Sequence, residues 1–165
     1  MDSSMPLLAA EGGAMFKRSL AFLSVVCLSI LEAGCMGTLR EYQPKSSVET
    51  SVKEVLANYE TAYNKHDLEG IVRSFHQDAE IVSEGGVKPF PRDRFRVTQF
   101  RDVFPQAMAS NPVMALSEPY IFLTMDSGDK AVLEVLTAFG KEKVPSKFSM
   151  ILDGNRWLIM KILYY

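Results

Sequence analysis

Several side chains in this sequence have the types and spacing that chemistry needs. Tyr59 and Tyr63 stand four residues apart, so on a helix both phenols share one face. Such a pair either lines a cavity and contacts a ligand or packs as core with its hydroxyls satisfied. His76, Asp78 and Glu84 are the groups that could work as base or acid beside a pocket tyrosine. His76, Asp78 and Glu80 also alternate, and a metal site can be drawn through them. That spacing matches no ligand pattern, and 2 histidines in the whole chain argue against zinc, so no metal and no other cofactor is expected. Asp78 fits better as the side chain that holds the turn before a strand, and His66, in a polar turn, as a solvent-exposed residue. The sequence has no Gly-rich phosphate loop, no Gly-x-Ser-x-Gly elbow and no Cys-x-x-Cys pair.

The elements that must position these residues follow from periodicity. Val48, Val52, Val55, Leu56, Tyr59, Ala62 and Tyr63 recur at helical spacing, and Asn64-Lys65-His66 ends the helix. Asp67 is placed to cap a short second helix with Leu68, Ile71, Val72 and Phe75 as its apolar residues. Asp78 to Val82 reads as a strand closed by Gly85-Gly86. Asp93 to Ala109 reads as a third helix with Val97, Phe100, Val103, Phe104 and Met108 inward, bent or divided at Pro105. Val113 to Met125, Ala131 to Phe139, Lys147 to Leu152 and Arg156 to Tyr164 are rich in β-branched and aromatic residues, with turn residues between them. Short turns imply an antiparallel meander, and Pro119 implies a bulge or bend that curls it. The fold class is therefore α+β, with helical segments covering one concave face of the sheet.

The 165 residues suffice for one domain. Eighteen basic against 20 acidic side chains, a net charge of −2, give no electrostatic reason to expect nucleic acid as a partner. The one basic run, Lys88 to Arg101, interleaves Arg92, Arg94, Arg96 and Arg101 with Phe90, Phe95 and Phe100. It reads as a solvated face whose phenylalanines are core, rather than as a surface for polyanions or lipid headgroups.

The N-terminus is an address. Lys17-Arg18 precedes an apolar run from Ser19 to Leu31, too short at 1.5 Å per residue to span a bilayer core of about 30 Å, and Ala33-Gly34-Cys35 follows. This ending resembles the lipobox of bacterial lipoproteins, with Glu32 at the position where the family usually has Leu. The resemblance implies cleavage before Cys35, a lipid on its thiol, and a membrane-anchored protein facing the periplasm. Met36 after the cysteine, in place of Asp, favours the outer over the inner membrane by similarity to enterobacterial sorting. Simple secretion and a retained N-terminal anchor are the alternatives. Met15 fits as the start of this signal, which would make residues 1–14 an extension. The expected organisation is a signal peptide over 1–34, the lipidated Cys35 and a Gly-, Pro- and Ser-containing tether over 35–47, and a folded domain over 48–165.

The stretch from Tyr59 to Ile81, with Asp67-Leu68-Glu69-Gly70-Ile71, Phe75 and Asp78-Ala79 in order, and Trp157 to Ile162 near the end, resembles the nuclear transport factor 2-like superfamily, which includes the SnoaL-like cyclases and ketosteroid isomerases. The resemblance implies a cone of curved antiparallel sheet, a cystatin-like roll, with about three helical segments in its concavity and often a dimer through the sheet. It places Tyr59 at the oxyanion-hole tyrosine of the ketosteroid isomerases, Ser83 at their general base and Ser146 near their second acid. Serine titrates far above neutrality and cannot replace a carboxylate base, and Glu84 could take its place only through a one-residue bulge. The expected cone lining is Tyr59, Tyr63, Ser83, Phe100, Phe104, Phe122, Ser146, Phe148 and Trp157. Two functions stand: a non-catalytic anchored domain that binds a small apolar ligand or a partner protein in or around the cone, and an enzyme using a pocket tyrosine with His76, Asp78 or Glu84.

Overall fold

The computed structural model describes residues 37–86, 88–123 and 128–165, the side chains of Phe122 and Leu123 excepted. The expected signal peptide and the Cys35 lipidation site lie outside the described residues, as does the Phe122 side chain expected in the cone lining.

Helix α1 (Ser47–Asn64) starts where Ser46 accepts a hydrogen bond from the Glu49 amide at 3.1 Å. It buries Val52, Leu56, Tyr59, Ala62 and Tyr63 along one stripe, as the spacing requires. Its end is the expected one, with His66 in the left-handed region at φ 56°. Helix α2 (Leu68–Arg73) is capped by Asp67, whose carboxylate accepts from the Gly70 amide at 2.9 Å. Gly70 is required there by a close approach. A Cβ at this position would overlap the Asp67 carboxylate and sit 3.0 Å from the Ala62 Cβ. Ala normally gains about 1 kcal/mol over Gly inside a helix. Here loss of the cap, about 0.5–2 kcal/mol, and overpacking, about 1–3 kcal/mol, outweigh that gain. Gly70→Ala is therefore expected to lower stability by about 1–2 kcal/mol in denaturant titration, and a stabilised variant would refute the crowding.

Strand β1 (Phe75–Ser83) is longer than the expected 78–82. The expected helix over 93–109 is corrected by the structure. Asp93–Arg96 is strand β2, antiparallel to β1, a short 3-10 turn covers Val97–Gln99, and helix α3 is Phe100–Ser110. Asp93-Arg94-Phe95-Arg96 alternates with only Phe95 buried, a period of two too short to stand out beside the helical pattern that follows. The cross-strand pair of Arg94 with Glu80, at 3.1 Å, adds to the pairing. Pro105 sits inside α3 without dividing it.

Strands β3 (Met114–Leu123), β4 (Lys130–Phe139), β5 (Glu142–Asp153) and β6 (Arg156–Tyr164) form the expected antiparallel meander. Strand β5 begins at Glu142 rather than Lys147, because Gly140 at φ 62° permits a two-residue connection. The register shift between Ser117 and Tyr120, with Glu118 at φ 52°, is the bend expected at Pro119. The sheet order is β2-β1-β6-β5-β4-β3, and β1 pairs with β6 in parallel, the one departure from an antiparallel sheet. This mixed α+β arrangement around a curved six-stranded sheet is the expected fold class.

The expected tether is a second correction. Thr38 bridges Ser117, the Leu39 amide donates to the Leu116 carbonyl at 2.9 Å, and Leu39 is fully buried. The Lys53 ammonium donates to the carbonyls of Arg40 at 2.9 Å and Tyr42 at 2.7 Å. The Glu49 carboxylate accepts from the Tyr42 hydroxyl and the Lys45 amide, each at 2.8 Å. Burial and this carboxylate push the Tyr42 phenol up to about 12. Gly, Pro and Ser made the stretch look like a spacer, whereas its attachment uses backbone bonds that composition does not encode.

The Lys45 amide and Tyr42 hydroxyl hold the Glu49 carboxyl below the usual carboxylate range. A depressed folded value contributes stability that is present above the ordinary glutamate value of about 4.3 and is lost as pH falls through the folded one. Glu49→Gln is expected to weaken the clasp by about 1–2 kcal/mol at neutral pH and to flatten this acid dependence. Amide exchange of Lys45 between pH 3 and 7 measures it.

Candidate functional site

Helix α1 sends Tyr59 and Tyr63 into the concave side of the sheet, where both are fully buried. The Tyr63 hydroxyl donates to the Asn111 carbonyl at 2.9 Å. Among the described residues neither the Tyr59 hydroxyl nor that of Tyr164, at the end of β6, has a hydrogen-bond partner in regular geometry. The two phenols lie close enough to perturb each other, though not in the geometry of a regular hydrogen bond. Burial first, then Tyr164, raises Tyr59 well above the usual phenol range, and burial raises Tyr164 likewise.

Sheet register explains what surrounds them. Tyr164 lies opposite Ser83 on β1 and opposite Ser146 on β5, so the three form one row across three strands, all buried. The structure thus brings Tyr59, Ser83 and Ser146 to one region, with Tyr164 at its centre. Ser83 Oγ donates to the Phe90 carbonyl and Ser146 Oγ to the Val144 carbonyl, each at 3.0 Å, so both hydroxyls serve local backbone. Sequence reasoning missed Tyr164. Counting alternate positions inward from Trp157 and Ile159 skips it, because a register shift opposite Ser149 and Met150 moves the buried positions to Ile162 and Tyr164.

The titratable candidates do not join this row. His76 lies at the far end of β1, its Nδ1 accepting from the Asp78 amide at 3.1 Å and lying 3.8 Å from an Asp78 carboxylate that is 70% exposed. Seven residues of strand separate His76 from Ser83, roughly 23 Å. Glu80 pairs with Lys161 at 2.9 Å and with Arg94, and the Lys161 hydrogen bond holds its carboxyl below the usual range. Glu84 is exposed just past β1, whose pairing from Glu80 to Ser83 carries no register shift, so no bulge turns it inward. Among the described residues no group of three His, Cys, Asp or Glu side chains is placed to hold a metal ion. In the basic run, Phe90, Phe95 and Phe100 are buried while Arg94 and Arg101 pair with Glu80 and Glu69.

The expected cone lining is a packed core. Tyr59, Tyr63, Phe100, Phe104 and Phe148 are each 0% exposed, so no water-sized space touches them. Tyr59 meets Phe75, Phe104 and Phe148 edge-on with centroids 5.5, 6.3 and 6.2 Å away, and Tyr164 stacks on Phe90 at 5.3 Å. Trp157, 7% exposed, belongs to the same buried core. It borders an open groove of about 560 Å³ with Ser51, Asn58, Arg73 and Arg156.

Removing an unsatisfied buried hydroxyl relieves a desolvation penalty, so Tyr59→Phe is expected to be neutral or to stabilise by up to about 1 kcal/mol in urea titration. A loss above 1 kcal/mol would show that the hydroxyl has a partner.

No family model matches the chain, and no curated protein does. Solved structures do. A nuclear transport factor 2-like protein of unknown function from Shewanella baltica is 15% identical over 75% of this chain and 97% of its own, with TM-score 0.58. A ketosteroid isomerase candidate from Shewanella frigidimarina is 16% identical over 72% and 98%, with TM-score 0.58. A protein of unknown function with a cystatin-like fold from Nostoc punctiforme is 13% identical over 74% and 93%, with TM-score 0.57. At these identities the likeness establishes architecture alone: the chain has the nuclear transport factor 2-like, cystatin-like fold.

Proposed function

We propose that this chain is a non-catalytic domain of the bacterial cell envelope, held by a lipid on Cys35, that works by binding a partner protein rather than by converting or enclosing a small molecule. The closed interior carries this reading. Catalysis by proton transfer needs a titratable group within hydrogen-bond reach of the substrate. Among the described residues the polar groups around Tyr59 are Tyr63 and Tyr164, with Ser83 and Ser146 beside Tyr164, none of which is a base near neutral pH. A small apolar ligand finds no room beside Phe100, Phe104 and Phe148. An apolar surface suited to a protein partner is the outer face of the sheet, where Val132, Ile151, Leu158, Met160 and Leu163 are half-buried. The partner assigned to that face is a second copy of this chain, since such a face can pair with itself about a two-fold axis. The resemblance noted in the sequence implies the same arrangement.

Native mass spectrometry of the protein extracted from its own membrane tests this. The expected species is a dimer with acyl mass on Cys35 and no other small molecule. A co-purifying ligand would overturn the closed interior, and a monomer would overturn the sheet-face partner. A Cys35→Ala protein still held in the membrane at mature size would overturn the anchor.

A further inference from the structure

The stretch expected to be a tether leaves almost no slack between Cys35 and the folded domain. Gly37 accepts from the Glu118 amide at 2.9 Å, and with the Leu39 bond to Leu116 this lays the segment antiparallel along the outer side of edge strand β3. On β3, Tyr120 lies two residues beyond Glu118, the partner of Gly37. Only Met36 stands between Gly37 and Cys35, and two peptide steps reach at most about 7.6 Å. The headgroup layer on each side of a bilayer is about 5–8 Å thick. A lipidated Cys35 therefore brings this edge of the domain into the headgroup region with no room for a stand-off.

The surface at that edge suits the position. Tyr120 is 62% exposed and Tyr165 48%, two of the large apolar side chains most open to solvent among the described residues. With Leu136 and Pro145 they line a groove of about 680 Å³ on the outer face of the sheet. Tyrosine, apolar in its ring and polar at its tip, is the side chain enriched where bilayers meet water. Glu134 on the groove is paired with Lys147 at 3.5 Å, and Glu118 beside it is exposed. The contact thus lacks the cation cluster that acidic lipids attract, and its strength comes from the tether's enforced proximity.

We infer that the domain lies directly on the bilayer that carries its anchor, with the groove around Tyr120 and Tyr165 pressed into the zwitterionic headgroup layer. This rests on the anchoring of Cys35 proposed above. The groove borders the sheet face assigned to the second copy, Glu134 lying two residues beyond Val132 on β4 and Tyr165 two residues beyond Leu163.

Full-length protein, processed in the cell and reconstituted into phosphatidylcholine vesicles containing doxyl-labelled lipid, provides the test. An environment-sensitive dye is attached at Tyr120→Cys and, in a second protein, at Val113→Cys. Val113 is 59% exposed and up to roughly 23 Å away along β3. The expected result is that both proteins float with the vesicles, with quenching at least about fivefold stronger at position 120. Adding Glu49→Ala and Leu39→Ala, which release the docked segment, is expected to lower quenching at 120 while flotation persists. Flotation with equal quenching at the two sites overturns the inference and leaves the anchor standing. Cross-linking between copies through position 120 without quenching also overturns it, giving the groove to a second copy. Failure to float, with no acyl mass on Cys35, removes the anchor and the inference together.

Discussion

Replacing Phe104 by alanine is expected to destabilise the domain by about 3–5 kcal/mol and to give it a ligand site that it otherwise lacks. The Phe104 ring is surrounded by those of Tyr59, Tyr63, Phe75, Phe90 and Phe100, with centroids between 5.4 and 6.4 Å away, and it is fully buried. Two terms add: the lost transfer of an aromatic ring from water, and a void that five rigid rings cannot close by small shifts. For a domain of this size the loss corresponds to roughly 10–20 °C in Tm. An apolar void stays dry and accepts apolar molecules of its own size. Benzene or indole should therefore raise the Tm of Phe104→Ala and leave the natural protein unmoved. Equal stabilisation of both would mean that the interior already holds an apolar space, and the proposed function would lose its support.

Leu39→Ala is expected to cost about 2–3 kcal/mol, against at most about 0.5 kcal/mol for a residue of a free tether. Leu39 is fully buried, and its amide bond to Leu116 places it on the edge of β3. The loss has a ceiling. Once the substitution outweighs the docking energy of residues 37–46, the segment opens locally and the rest of the domain remains folded. Two readings separate docking from tethering. Chemical denaturation gives the size of the effect, and hydrogen exchange gives its location, with the Leu39 and Glu118 amides losing protection while those of β5 keep theirs. Unchanged protection at Leu39 and Glu118 would contradict the docked arrangement.

Both effects arise where local pattern is silent. The stripe from Val52 to Tyr63 was legible because helical spacing depends only on which face is apolar. The Asp67 cap and the bend at Pro119 were legible because each follows from the chemistry of one residue. Strand β2 was not legible, since one buried Phe95 between two arginines carries too little periodicity to outweigh the helix beginning at Phe100. In the candidate site, Tyr59, Ser83 and Ser146 lie in one neighbourhood. Tyr164, the residue between the two serines, was hidden by the register shift in β6. The positions of His76, Asp78 and Glu84 away from that row depend on strand length and parity, which a sequence read without register does not contain.

By itself the sequence determined the α+β class, the positions of α1, α2 and the meander, and the absence of a carboxylate at the two places where the resemblance to an isomerase needed one. Only the tertiary structure decided that the cone is filled, that β1 runs parallel to β6, and that residues 37–39 are bonded along the edge of the sheet. The physical reason is common to all three. Periodicity records which side of an element avoids water, whereas the space left between two apolar faces, and the backbone bonds that join distant segments, depend on how the faces meet.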